Sequence, residues 1–204
     1  MYGYGYRYNS GLVIGAGGGA PFANTKSLSF DGVDDYVSCG NITELSGASS
    51  FTISGWYKQT TLDVVNYMFG SYIDVSNRLI AYTWSSGLMY FQIEKAASNF
   101  YAGFDYSTVV TAGQWFHLAV IYDGGGATNA DKVKIYIDGV SQTLSFIGAF
   151  PTSAPTGTNV TTIGKVSDAA QTWNGSIDEI CILDRVATPS EIATLSTAPT
   201  VDLT

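Results

Sequence analysis

At 204 residues, with 46% hydrophobic, 14% aromatic and 13% charged side chains, the chain reads as one large globular unit and not as a disordered segment. Nine basic residues against seventeen acidic ones leave a net charge of -8, which argues against nucleic acid or anionic lipid as partners. No apolar run reaches the ~20 residues of a membrane helix, so membrane insertion is not expected.

Residues 1–26 stand apart. Tyr2, Tyr4, Tyr6 and Tyr8 alternate with glycine and arginine, and a glycine run follows at 15–19. The run lacks the Gly-Lys-Ser/Thr ending of a phosphate loop. Strict alternation would put the four rings on one face of a strand, so the segment is expected to be an assembly arm on a glycine hinge. A plain tail is the competing reading. If Met1 is the native start, the absence of a charged and apolar leader argues against export by the usual route.

From residue 27 strand patterns follow one another. Phe51, Ile53 and Tyr57 share one face of the run 50–58, and Phe116, Leu118, Val120 and Tyr122 alternate likewise. Val133, Ile135 and Ile137 point one way and the lysines between them the other, with Asp138-Gly139 as the hairpin turn. Further strands are expected near 66–73, 78–84, 88–94, 100–105, 160–165 and 176–184. Cys39 and Cys181 lie inside strand-like runs and make no disulfide framework, so free thiols are expected. Thr188-Pro189-Ser190-Glu191 is a capping box with proline at the first helical position, which predicts a short helix ending before Pro199. The period of two predicts an all-β fold, two sheets packed face to face, with one short C-terminal helix. The organisation expected is an arm over 1–26, a sandwich over 27–198 and a tail over 199–204.

Four stretches, in this order, resemble the laminin G-like family and its pentraxin relatives. They are Leu28-Ser29-Phe30-Asp31-Gly32-Val33-Asp34-Asp35-Tyr36-Val37, Phe51-Thr52-Ile53-Ser54-Gly55-Trp56, Gln114-Trp115-Phe116-His117-Leu118-Ala119-Val120 with Tyr136-Ile137-Asp138-Gly139, and Asn174-Gly175-Ser176-Ile177-Asp178-Glu179-Ile180 through Ser190-Glu191-Ile192. The resemblance implies an antiparallel jelly-roll sandwich of concanavalin A-like type. It also implies a structural calcium held by Asp31 and Asp178, because the family's first and last strands run close together; ordinary turn-capping aspartates are the alternative. Trp56, Trp115 and Trp173 fall where the family places packing aromatics, and His117, the only histidine, falls in a core strand. Of the pentraxin ligand positions Asn77 and Asp168 align, but Lys165 stands beside the second and would repel a cation, so that site is not expected.

Trp84 shares one strand face with Ile80 and Tyr82, and Tyr90 follows on the next strand. Exposed, such a ladder stacks against sugar rings; turned inward, it is core. Catalysis is not expected. Asp178 and Glu179 are adjacent and Glu94 lacks an acidic partner two residues away, whereas glycoside hydrolysis, the remote alternative, needs paired carboxylates on one face. Two functions remain open: a lectin-like module for surface glycans, and a self-assembling component of a virion surface, homo-oligomeric or joined to other virion proteins through residues 1–26. The virion, assembled in a host cytoplasm, is the expected setting. A secreted adhesion domain is the alternative, and would suit Asn41, Asn159 and Asn174 as glycosylation acceptors.

Overall fold

Alternation of apolar and polar side chains is realised, among the described residues, as thirteen antiparallel strands. The computed structural model describes residues 26–166 and 171–197. The tyrosines at 2, 4, 6 and 8, and Asp168, lie outside them. The strands are β1 (Leu28–Asp31), β2 (Val37–Gly40), β3 (Ser50–Gln59), β4 (Asn66–Asp74), β5 (Asn77–Trp84), β6 (Leu88–Lys95) and β7 (Ser98–Asp105). They continue as β8 (Trp115–Asp123), β9 (Val133–Ile137), β10 (Val140–Ser141), β11 (Ser145–Ile147), β12 (Val160–Ile163) and β13 (Asn174–Leu183). One sheet runs β1-β13-β3-β8-β9-β10 and the other β11-β7-β6-β5-β4-β12-β2. Sequence-distant strands are neighbours in both, as in a jelly roll.

The core lies between the sheets. Phe51, Ile53 and Tyr57 from β3, Phe116, Leu118, Val120 and Tyr122 from β8, and Val133, Ile135 and Ile137 from β9 all enter it, the faces that alternation predicts. Met68, Phe69, Leu79, Ala81, Met89, Phe91 and Ile93 meet them from the opposite sheet. Phe51 packs 5.1 Å from Tyr122 and edge-on to Phe91 at 6.1 Å, so the layers interlock through rings. The turn at Asp138-Gly139 forms as the dipeptide predicts, with φ of 49° and 78°, and joins β9 to β10.

Helix α2 (Pro189–Leu195) forms as its capping box predicts. Thr188 Oγ1 accepts from the Glu191 amide at 3.3 Å, and the Glu191 carboxylate accepts from the Thr188 amide at 2.8 Å. Arg185 donates to both carboxylate oxygens of Glu191, at 2.9 and 2.7 Å, and holds that carboxyl down at about 2. The helix lays Ile192 over Ala119, Ile121, Leu183 and Ala187 on the outer side of the six-stranded sheet. A one-turn helix, α1 (Asn129–Lys132), is added to the expected set; its box is Thr128 with Asp131, and no apolar repeat follows to announce it.

Cys39 packs against the core and Cys181 under α2, so the two cysteines sit in different layers and form no disulfide. Asn159 does not suit the glycosylation that the alternative reading, a secreted adhesion domain, would place on it. Its side chain is buried, donates to the Ile42 carbonyl and accepts from the Ile42 amide at 3.0 Å, so it has no room for a glycan.

Candidate functional site

The outer face of the seven-stranded sheet is built from the side chains that alternate away from the core. On β5, Leu79 and Ala81 point inward, so Arg78, Ile80, Tyr82 and Trp84 point outward. On β6, Met89, Phe91 and Ile93 fill the core and Tyr90, Gln92 and Glu94 face out. Tyr82 is directly paired with Tyr90, and Tyr67 of β4 with Tyr82. Ring centroids are 5.6 Å apart for both of these pairs, 6.0 Å for Tyr90 and Tyr101, and 6.1 Å for Tyr82 and Trp84.

Four tyrosines therefore cross four strands in one row, with Trp84 beside it. Trp84 is 45% exposed, while Tyr82 is 7% exposed because its neighbours flank it. Two glycines shape the row. Gly103 lies opposite Tyr90, and any side chain there would collide with the Tyr90 ring, so the ring lies flat over the glycine. Gly70 likewise lets Val166 settle against β4 at one end of the face.

Polar groups border the rings. Gln92 donates to Asn99 Oδ1 at 2.6 Å and to the Tyr101 hydroxyl at 3.4 Å. Arg78 Nε donates to Glu94 Oε2 at 2.6 Å, a charge pair across β5 and β6. Burial pushes the Tyr82 and Tyr101 hydroxyls above the usual tyrosine range; the Glu94 charge adds to the rise at Tyr101. These hydroxyls stay protonated at physiological pH and can both donate and accept. The face is an aromatic shelf with hydrogen-bonding edges and a neutralised ion pair.

Of the residues singled out in the sequence, Tyr82, Trp84 and Tyr90 come together. Tyr67 and Tyr101 join them unannounced. Tyr101 is foreshadowed by the alternation of 100–105, but Tyr67 is not, because a bulge between Tyr67 and Phe69 reverses the side that simple alternation assigns.

Asp31 and Asp178 do not come together. Their strands pair, but Asp31 faces Asn174, four residues along β13 from Asp178, which is about 13 Å. A calcium shared by that pair does not fit this register. Asp31, Asp34 and Asp35 do gather, with ligand oxygens within 4.8 Å of one another, on an exposed turn. Asp31 Oδ1 there accepts from the Val33 amide at 2.8 Å and Asp35 Oδ2 from the Asp31 amide at 3.0 Å. Both are turn-capping bonds. Glu179 lies within a second bulge, between Asp178 and Cys181, and takes φ of 48°. Asn77 is held by Asp74 in a hairpin turn, and Lys165 sits 5.2 Å over the Tyr36 ring.

His117 is buried on the outer side of the six-stranded sheet, edge-on to Trp56 at 5.4 Å, and burial lowers its pKa to about 4. It is a neutral packing group. Trp173 is also fully buried, in the inter-sheet core.

The family profile of the concanavalin A-like lectin/glucanases superfamily matches residues 31–193. The chain belongs to that superfamily. Among solved structures, this superfamily member is similar to a native heptameric SAP-like pentraxin from Limulus polyphemus, at 17% identity and a TM-score of 0.57, over 83% of this chain and 80% of that one. It is similar to domain 4 of AbnA, an extracellular arabinanase from Geobacillus stearothermophilus, in complex with arabinotriose: 24% identity, TM-score 0.62, 84% and 76% of the two chains. A third is the CBM40 of a Ruminococcus gnavus IT-sialidase bound to alpha2,3 sialyllactose, at 11% identity and a TM-score of 0.64 over 84% and 96%. At these identities the likeness is one of fold. No curated protein sequence matches the chain. The fold is that of a lectin-like β-sandwich, and no helix among the described residues is long and apolar enough to cross a membrane.

Proposed function

We propose that this protein is a non-catalytic glycan-binding module whose ligand lies across the outer face of the seven-stranded sheet. The observation that carries the reading is the row Tyr67, Tyr82, Tyr90 and Tyr101 with half-exposed Trp84 beside it, on a sheet face that no described helix covers. A sugar ring presents an apolar face of C–H bonds and a rim of hydroxyls. Trp84 offers a surface for the first, and Gln92, Asn99 and the tyrosine hydroxyls offer partners for the second. Two structural neighbours were solved with an oligosaccharide, which supports the ligand class. Glu94, the carboxylate beside the rings, is tied to Arg78 and is not poised as one of a hydrolytic pair, which supports a binding role.

A glycan array probed with the whole protein, followed by calorimetry on the best hit, tests this. Trp84→Ala is expected to weaken that hit about three- to tenfold, the worth of one ring stacking contact. An array without a hit, or a hit bound equally by the variant, would sink the reading.

The setting is a separate proposal, a self-assembling virion-surface component, resting on the alternating tyrosines and glycines of residues 1–26. Deleting residues 1–20 is expected to abolish assembly, read by light scattering and electron microscopy. Normal assembly of the truncated protein ends that argument.

A further inference from the structure

The aromatic row has a chemistry that needs no ligand. Half-exposed Trp84 lies 6.1 Å from Tyr82, centroid to centroid, and Tyr82 lies 5.6 Å from both Tyr67 and Tyr90. Tyr90 in turn lies 6.0 Å from Tyr101. Five rings are thus in unbroken contact, and one of them meets solvent. The only tyrosine–tyrosine ring pairs among the described residues are in this row. Between the sheets the ring contacts join mainly phenylalanines, such as Phe91, Phe100 and Phe146 around Phe150. Indoles and phenols give up an electron readily, because a nitrogen or oxygen lone pair feeds the ring. Phenylalanine has no such lone pair.

Within the row one pair is set to join. Tyr82 and Tyr90 are direct partners in the β5–β6 ladder, which runs without a shift from Arg78 opposite Glu94 to Trp84 opposite Leu88. Side chains so placed start from Cβ atoms about 4.5–5.5 Å apart. Their rings are tilted by only 31°. The Tyr90 ring is seated over Gly103, where any side chain would collide with it, and Tyr67 flanks Tyr82 on its other side. The other two pairs are less well set. Tyr67 adjoins the bulge in β4, and Tyr101 stands at 75° to Tyr90.

We propose that Tyr82 and Tyr90 are a site of oxidative cross-linking, with Trp84 as the ring through which the electrons leave. The reactant is a one-electron oxidant, of the class of a peroxidase intermediate or a photo-oxidised metal complex. It takes an electron from the exposed indole, which is refilled from Tyr82 or Tyr90, and the oxidised phenol releases its hydroxyl proton to water. A second such event leaves two phenoxyl radicals side by side. A carbon–carbon bond then forms between the ring positions next to the two oxygens. The hydrogens on those carbons shift to the oxygens and restore both phenols. Two electrons have gone to the oxidant and two protons to water, and one bond has formed. Contact between the partners replaces a chance encounter of dilute radicals by a reaction inside one molecule. The product is a covalent staple between β5 and β6. It goes beyond the glycan reading and does not rest on it.

The test is a light flash on the dilute whole protein with tris(bipyridyl)ruthenium(II) and persulfate, followed by trypsin and mass spectrometry. Cleavage after Arg78 and Lys95 releases residues 79–95 as one peptide that holds both tyrosines. That peptide is expected to lose the mass of two hydrogens and to give no fragments from chain breaks between Tyr82 and Tyr90. Tyr90→Phe keeps a ring in place, so it is expected to fold like the parent and to abolish the hydrogen loss. Trp84→Phe is expected to lower the yield, and unfolding in urea before the flash to lower it further. The inference is overturned if the folded parent gives this peptide unchanged or only with added oxygen. It is equally overturned if the hydrogen loss persists in Tyr90→Phe, if Trp84→Phe or the unfolded chain links as well as the folded parent, or if Tyr82 is found joined to Tyr67. No glycan is present in the experiment, so its outcome is read apart from that of the glycan array.

Discussion

On the six-stranded sheet the outward side chains of β8 and β13 include Ala119, Ile121, Cys181 and Leu183, and α2 lays Ile192 across them. On the seven-stranded sheet the outward side chains of β4 to β7 include Tyr67, Ile80, Tyr82, Tyr90 and Tyr101, with Trp84 at the rim. Both faces alternate with the same core, and both are rich in carbon. Small and aliphatic groups make a flat seat for a helix. Tyrosines keep a hydroxyl that wants water or a polar partner, so their face remains open while their rings cover each other. The difference between a closed face and an open one is therefore written in side-chain chemistry, not in strand pattern.

The comparison breaks first at Ile192. This side chain is fully buried under α2, so Ile192→Ala is expected to cost about 2–5 kcal/mol in urea unfolding. A cost below about 1 kcal/mol would mean that the helix merely rests on the sheet.

The next test asks how dry the closed side is. His117 has its pKa lowered from 6.5 to about 4 by burial. Above pH 6.5 the imidazole is neutral whether folded or unfolded, and no pH-dependent cost arises. As pH falls from 6.5 towards 4 the unfolded chain takes up the proton first, so stability drops, by about 2–3 kcal/mol at pH 4.5. His117→Gln is expected to remove that share of the slope between pH 7 and 4.5. An unchanged slope would show that His117 is in contact with water.

The smallest effect is expected on the open face. Trp84→Ala removes a half-exposed ring and should change unfolding stability by less than about 1 kcal/mol, even where it weakens a ligand. A loss as large as that of Ile192→Ala would make Trp84 a packing residue and close the contrast between the two faces.

Much of the sandwich was legible from residue order. The alternation of Phe116, Leu118, Val120 and Tyr122 names a strand and sorts its faces, because side chains on a strand must point to opposite sides. The capping box at Thr188 names the start of α2, because Thr188 and Glu191 satisfy each other's amides locally. The grouping of Tyr82 with Trp84 was legible for the same reason as the strands. Whether that face looked inward was not, since alternation gives two sides without saying which is core.

Other features depend on contacts between distant segments. Tyr67 and Phe69 share a parity in the sequence, and only the bulge between them turns Tyr67 to the aromatic row while Phe69 enters the core. Asp31 and Asp178 lie on neighbouring strands, but the register that keeps Phe30 and Ile177 in the core sets the two carboxylates four residues apart. Asn159 carries an acceptor motif in the sequence, yet its amide ties down Ile42, far away in the chain.

The sequence by itself determined the alternation behind the two-sheet class, most of the strands though not β11, the turn at Asp138-Gly139 and the helix α2, because each is written in the order of neighbouring residues. Only the tertiary structure decided which tyrosines meet and which aspartates do not. Those depend on strand register and bulges, which are set by burying both sheets against one another at once.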